Sequence, residues 1–187
     1  MLIGKTIRLQ PMTVGDAPLI AEWFSDPAYM GEFNNVWPQT RAEWEQHLGG
    51  RHGGHDDGMF LIVGRDTGEP MGAIGYWNPF TNGDFFKGYE IWYQVHPQFR
   101  RRGLATQAAC LLINHLFAAT PVPRIQATVA VDNAASCRVT AAAGMQRDGV
   151  YRQVTFLHGR WIDMYLYAIV RADWGDEAAY RRGRPLF

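Results

Sequence analysis

The order of hydrophobic patterns along this chain predicts a mixed α/β domain, a twisted mixed sheet of about seven strands flanked by about four helices. Three observations carry this. Apolar residues alternate with a period of two in short runs such as Leu2 to Leu9 and Gln126 to Val131. They mark one helical face in others, as with Leu104, Ala108, Leu111, Leu112 and Leu116. The two kinds of run are interleaved along the chain: strand, two helices, three strands, helix, strand, helix, two strands.

Leu2 to Leu9 is the first strand. Thr13-x-x-Asp16, followed by Leu19, Ile20, Trp23 and Phe24, reads as a capped amphipathic helix that stops before Pro27. Tyr29 to Pro38 is aromatic-rich and expected to be irregular, and a second capped helix starts at Thr40-x-x-Glu43. After the Gly-, His- and Asp-rich stretch 49–58, three strands follow at Met59 to Val63, Pro70 to Trp77 and Phe85 to Val95. Asp66-Thr67-Gly68 and Asn82-Gly83-Asp84 are the turn signals between them. A helix from Gly103 to Ala119 ends at Pro121 and Pro123 because proline removes a backbone donor and clashes with the preceding turn. Gln126 to Val131 is the next strand, Asn133 to Ala143 a helix closed by Gly144, and Gln153 to Phe156 with Trp161 to Val170 a final hairpin.

The chain has 187 residues, 47% of them hydrophobic, which fits one domain, expected over 1–175 with a C-terminal tail at 176–187. Eighteen basic residues balance eighteen acidic ones, so no large positive field exists to collect nucleic acid, and nucleic acid is not an expected partner. Cys110 and Cys137 are the only cysteines and give neither a disulfide framework nor a metal cluster; a reducing cytoplasm is the simpler expectation. Lys5 and Arg8 interrupt the N-terminal apolar run, and no stretch is long and apolar enough to span a bilayer, so no membrane partner is expected. His52-x-x-His55-Asp56-Asp57 lacks further ligands at a recognised spacing, and no metal is expected.

Between the strand ending at Val95 and the helix starting near Gly103 lies Gln98-Phe99-Arg100-Arg101-Arg102-Gly103-Leu104-Ala105-Thr106. Gly103 and Ala105 let the backbone approach an anion closely, and the first turn of the helix offers N–H groups with no intrahelical partner. The positive end of the helix dipole faces the same point, which makes the run a candidate diphosphate cradle. The three arginines are a solvated basic patch on one reading and flanking cations for the phosphates on the other.

The spacing Arg100-x-x-Gly103-x-Ala105 resembles the acyl-CoA pyrophosphate loop of the Gcn5-related N-acetyltransferase (GNAT) superfamily. Tyr93-x-Val95-x-Pro97 before it matches the family's strand exit. Asn133-x-x-Ser136, Ala143-Gly144-Met145 and Gly159-x-Trp161-x-Asp163-x-x-x-Tyr167 follow in the family's order, and the likeness is closest to the branch that acetylates ribosomal-protein N-termini. It implies that Phe85–Val95 and Arg124–Val131 run parallel and splay apart, leaving a cleft for the pantetheine arm, with the Gly103 helix as the crossover that parallel neighbours require.

The resemblance implies acetyl-CoA as co-substrate and direct transfer to a primary amine, either a protein N-terminus or a small-molecule amine, in a monomer or homodimer. Tyr93, Val95, Arg100, Arg101, Arg102, Gly103, Leu104, Ala105, Thr106, Asn133 and Ser136 are the residues it places on the cofactor. Val95 would act through its N–H on the thioester carbonyl. Asn133 is also a good helix N-cap whatever else it does. Ser136 would stabilise or protonate the departing thiolate where many relatives use a Tyr, or simply support the helix start.

Glu90 is the expected base, acting through a water. Strand alternation puts it on one face with Trp92 and Gln94, opposite Tyr89, Ile91, Tyr93 and Val95. The alternative is a cross-strand pair with Arg or Lys. Trp37, Trp77 and Tyr29 are among the aromatics expected toward the acceptor, although core packing explains several equally well. Asp163 orients a substrate amine or bonds a backbone group. A Cys137 acyl-enzyme is not expected, since the family transfers directly and a small packed thiol is the commoner case. The reading from another class is a non-catalytic acyl-CoA-binding or regulatory module.

Overall fold

The structure, a computed structural model, describes residues 1–36, 38–50, 57–79 and 88–175. Its strands form one sheet in the order β1-β2-β3-β4-β5-β6-β8-β7. The elements are β1 (Leu2–Ile3), β2 (Ile7–Pro11), α1 (Ala17–Ser25), α2 (Pro27–Met30), α3 (Arg41–Gly49), β3 (Asp57–Gly64), β4 (Pro70–Trp77), β5 (Tyr89–Val95), α4 (Leu104–Ala119), β6 (Arg124–Ala130), α5 (Ala134–Ala142), β7 (Gln146–Leu157) and β8 (Arg160–Val170). Among the described residues these are eight strands and five helices, one more of each than the patterning predicts.

Each departure has a local cause. The run Leu2 to Leu9 folds back on itself as a small antiparallel ribbon, Leu2 opposite Leu9, because Gly4 N–H bonds Ile7 O at 2.8 Å. Gln107 Oε1 on α4 accepts from the Thr6 and Ile7 N–H groups, each at 3.1 Å, and so caps the turn. Tyr29 to Pro38 is not wholly irregular: Asp26 accepts from Ala28 N–H at 2.8 Å and Pro27 sits at the first helical position, which together start α2. β7 begins at Gln146 rather than Gln153. It is an edge strand, exposed along most of its length, with a register shift between Tyr151 and Thr155, so no clean alternation marks it. The capping box at Thr40 and Glu43 forms as expected.

Helices cover both faces of the sheet. On one side α4 buries Leu104, Ala108, Leu112 and Leu116 against Ile7, Leu9, Ile74, Ile91 and Ile125. Each fully buried leucine there contributes about 1.5–3 kcal/mol relative to an exposed one. On the other side α1, α2 and α3 pack Ile20, Trp23, Tyr29 and Trp44 against Met59, Leu61 and Val63. No helix among the described residues is long and apolar enough to cross a membrane.

β5 and β6 are parallel, joined by the α4 crossover, and pair only at Tyr89↔Ile125 and Glu90↔Gln126. Beyond that point β5 continues along β4 to Val95 while β6 continues along β8 to Ala130. The strands therefore diverge into a cleft that starts at Glu90.

Candidate active site

The loop beyond the open end of β5 is built by backbone geometry. Arg101 and Gly103 both lie in the left-handed region, with φ of 65° and 73°. Gly103 tolerates this without cost; Arg101 does not, so the surrounding turn imposes it. The first intrahelical bond of α4 runs from Gln107 N–H to Gly103 O at 3.0 Å. Helix geometry thus leaves the N–H groups of Leu104, Ala105 and Thr106 without intrahelical acceptors. A Cβ placed on Gly103 would meet nothing within 4 Å, so the space beside Gly103 at the helix start is open. Leu104, buried at 7% exposure, anchors the helix start in the core.

The arginines divide. Arg101 and Arg102 are exposed; Arg102 lies over the Phe99 ring, 5.4 Å from its centroid, and donates to Gln98 O at 3.2 Å. Arg100, expected with the other two beside the anion, has its guanidinium engaged by carbonyls. Its guanidinium donates to Val95 O at 3.0 Å, Ala28 O at 3.1 Å and Tyr29 O at 2.6 Å, and its own N–H bonds Pro97 O at 3.2 Å. Carbonyls left open at the end of a four-residue helix attract the nearest fork of donors, and the Arg100 side chain is that fork. Gln94 joins it, donating to Met30 O at 3.0 Å and to Tyr29 O.

The register of β5 decides which backbone groups face the cleft. His96 N–H bonds Met71 O at 2.9 Å, and Val95 stands opposite Gly72. Antiparallel pairs alternate between bonded and non-bonded, so Tyr93 and Val95 sit at non-bonded positions toward β4 and turn their N–H and C=O groups toward β6. Val95 O is taken by Arg100. The N–H groups of Tyr93 and Val95 point into the space where β6 has departed.

α5 borders that space. Asn133 caps it, accepting from Ser136 N–H at 3.0 Å, as expected of an N-cap. Ser136 Oγ is 2.6 Å from the Tyr93 hydroxyl, which also donates to Ser136 O at 3.3 Å. Burial pushes the Tyr93 phenol up to about 12, against the opposing pull of the Ser136 hydrogen bond, so it keeps its proton at neutral pH. α5 has no Tyr of its own, yet β5 brings one to the serine. Cys137, next in the helix, is half-buried and packs against the cluster that contains Tyr167.

On the opposite face of the sheet, alternation holds: Trp92 and Gln94 pack toward α1 and α2 while Ile91 and Tyr93 pack toward α4. Glu90, 8% exposed, shares the face of Trp92. Its Oε1 accepts from Thr128 Oγ1 at 2.7 Å and its Oε2 from Gln126 Nε2 at 2.9 Å. Both partners are neutral, so the Arg or Lys pair left open by the sequence is not how this carboxylate is held. Trp77 stands opposite Glu90 across the β4–β5 ladder, 40% exposed on the same face.

Other expected residues fall elsewhere. Tyr29 is fully buried and stacked on Trp23 at 5.1 Å, a core residue rather than an acceptor contact. Asp163 Oδ1 accepts from Gln153 N–H at 2.8 Å, at the bulge where Gln153 has φ of 50°, so it bonds a backbone group. Trp37 lies outside the described residues, as do His52, His55, Asp56 and the tail at 176–187. Among the described residues no group of three or more His, Cys, Asp or Glu is placed to hold a metal ion. Gln126 and Thr128 were not singled out from sequence. Their signal is the polar half of β6, alternating with buried Ile125, Ala127 and Val129.

A family model described as an acetyltransferase (GNAT) domain matches residues 6–146. The uncharacterized N-acetyltransferase YoaA of Bacillus subtilis is 34% identical over 110 residues, 59% of this chain and 60% of that protein. The ribosomal protein uS5-alanine N-acetyltransferase of Escherichia coli is 24% identical over 85% of this chain and 84% of its own. Spermidine N-acetyltransferase from Vibrio cholerae, solved with CoA and spermine, superposes with a TM-score of 0.80 at 15% identity, covering 91% of this chain and 99% of that one.

Proposed function

The chain belongs to the GNAT acetyltransferase family, and from that premise we propose that it is an acetyl-CoA-dependent N-acetyltransferase in which a primary amine attacks the thioester directly. The observation that carries this reading is the cleft between β5 and β6. It opens at Glu90, is lined by the N–H groups of Tyr93 and Val95, is flanked by Ser136, and leads to the open amide row at Gly103–Thr106.

In this reading the amides of Leu104, Ala105 and Thr106 and the dipole of α4 hold the diphosphate, and Arg101 and Arg102 supply positive charge from solvent. Two inward amides on β5 meet two carbonyls of the thioester arm. A strand rises ~3.3 Å per residue, so Tyr93 lies ~10 Å and Val95 ~16 Å along β5 from Glu90. The amine must reach both the water on Glu90 and the acyl carbon, so in this reading the nearer amide, Tyr93 N–H, takes the acyl carbonyl and Val95 N–H holds a pantetheine carbonyl. This shifts the oxyanion role by one inward position from the sequence expectation.

Glu90, with one hydrogen bond to each oxygen, retains lone pairs for a water that removes the amine proton. The amine nitrogen bonds to the acyl carbon, negative charge gathers on the carbonyl oxygen beside the amide, and the C–S bond then breaks. Ser136 Oγ, held in place by the Tyr93 hydroxyl, offers its hydroxyl as a hydrogen bond to the departing thiolate, which takes its proton from solvent. Holding amine and thioester in one cleft supplies much of the acceleration by removing the entropy of encounter.

The acceptor is a protein N-terminus or a small amine such as a polyamine; the first is favoured by the relative that acts on ribosomal protein uS5, the second by the fold match to a spermidine enzyme. Thiol release from acetyl-CoA against a panel of N-terminal peptides, polyamines and amino sugars decides between them. Amine-dependent release with any member supports the enzyme, and its absence across the panel together with intact acetyl-CoA binding turns the reading to a binding module.

A further inference from the structure

We propose that Arg124, which does not touch the reacting groups, is a positioning residue for the base, acting through the side-chain amide of Gln126; this rests on the reading of Glu90 as the base. Four hydrogen bonds connect β7, β6 and β5 at the narrow end of the cleft. Asp148 Oδ2 accepts from Arg124 Nη1 at 2.6 Å. Arg124 Nε donates to Gln126 Oε1 at 3.3 Å, and Gln126 Nε2 donates to Glu90 Oε2 at 2.9 Å. Thr128 Oγ1 closes the set on Glu90 Oε1 at 2.7 Å.

The two ends of the Gln126 carboxamide are chemically opposite. Gln126 is 5% exposed and its amide offers donors at one end and lone pairs at the other. Turned over, it would aim an oxygen at the Glu90 carboxylate, a repulsive arrangement in a buried site. Arg124 carries only donors, so it engages the carbonyl end alone and commits the NH2 end to Glu90. Asp148 in turn holds the guanidinium, which is half-buried with 25% of its side-chain surface exposed. A guanidinium placed directly on Glu90 would form a strong charge-assisted pair and occupy the lone pairs that a water needs. Interposing a neutral amide fixes the carboxylate while leaving one side of it available.

The test measures kcat and the acetyl-CoA KM by thiol release, with the N-terminal peptide or polyamine that the panel returns as acceptor. Arg124→Met keeps the length of the stem and removes the donors; kcat is expected to fall roughly ten- to hundredfold with the acetyl-CoA KM unchanged, the scale on which a misplaced catalytic group loses rate. Gln126→Leu should fall similarly, and the double variant should be no slower than Gln126→Leu alone, because Arg124 then has nothing to orient. Should Arg124→Met not fold, Asp148→Asn loosens the same guanidinium from the surface and should lower kcat in the wild-type but not in the Gln126→Leu background. Wild-type kcat in the Arg124 or Asp148 variant, or losses that multiply in the doubles, overturns the proposal. Glu90→Gln separates the two levels: full turnover in that variant removes the base reading itself, whereas its collapse alongside an unaffected Arg124→Met removes only the positioning role.

Discussion

The hydroxyl of Tyr93 on β5 lies 2.6 Å from Oγ of Ser136 on α5, so the two walls of the cleft are tied by a hydrogen bond where their backbones have parted. The same contact places a proton-bearing phenol behind the residue proposed to meet the thiolate.

Ser136→Ala should lower kcat with little change in acetyl-CoA affinity, and Tyr93→Phe should lower it in the same direction while costing about 1 kcal/mol of stability for the lost bond. Steady-state kinetics and denaturant unfolding of the two variants measure both effects. A Tyr93→Phe enzyme with unaltered kcat would leave Ser136 acting alone.

The Tyr93 phenol also sets a stability dependence on pH. Its folded value is raised by burial to about 12 from an ordinary value of 10.0, so the folded state holds the proton more tightly than the unfolded chain. Stability from this group is complete below the unfolded value and is lost as pH rises through the window up to the folded one. Tyr93→Phe should therefore lose less stability than wild type between those limits, measured as the difference in unfolding midpoint; parallel declines would show that the phenol is not buried as described.

Arg100 gives a contrast with its neighbours. Since its guanidinium holds the Ala28, Tyr29 and Val95 carbonyls, Arg100→Met should lower the unfolding free energy by about 1 kcal/mol, and with it the midpoint, and disturb the acceptor side through α2. Arg101→Ala and Arg102→Ala should leave the midpoint within error and raise the acetyl-CoA KM. The reverse pattern would return Arg100 to the phosphates.

Gly72 is required by proximity rather than by its dihedrals. A Cβ there would strike the Gln94 carbonyl and come 3.0 Å from Val95 Cα, both backbone atoms that cannot swing aside. Gly72→Ala should cost about 1–3 kcal/mol and displace the strand that carries the two inward amides. Unfolding and acetyl-CoA titration should change together; a stable variant with normal binding would mean that β5 yields freely.

Much of this was legible in the sequence because local chemistry dictates it. The Thr40 and Glu43 box, the Asn133 cap and the Gly144 closure each follow from a few neighbouring residues. The partners of Glu90 were not, since Gln126 and Thr128 are 36 and 38 residues away and reveal themselves only once β5 and β6 are paired. The Arg100 contacts with Ala28 and Tyr29 were not legible for the same reason, since those partners lie about seventy residues upstream. Tyr29 looked like a surface aromatic until the turn started by Asp26 and Pro27 folded it against Trp23.

Calorimetric titration with acetyl-CoA, wild type against Gly103→Asp, tests the central claim most directly. Aspartate tolerates the left-handed backbone and suits a helix start, so the fold should persist while its carboxylate enters the open concavity and repels a diphosphate. The expected result is a saturable one-to-one heat in the wild type, weakened roughly tenfold or more in the variant. No heat in the wild type, or equal affinity in both proteins, would contradict it.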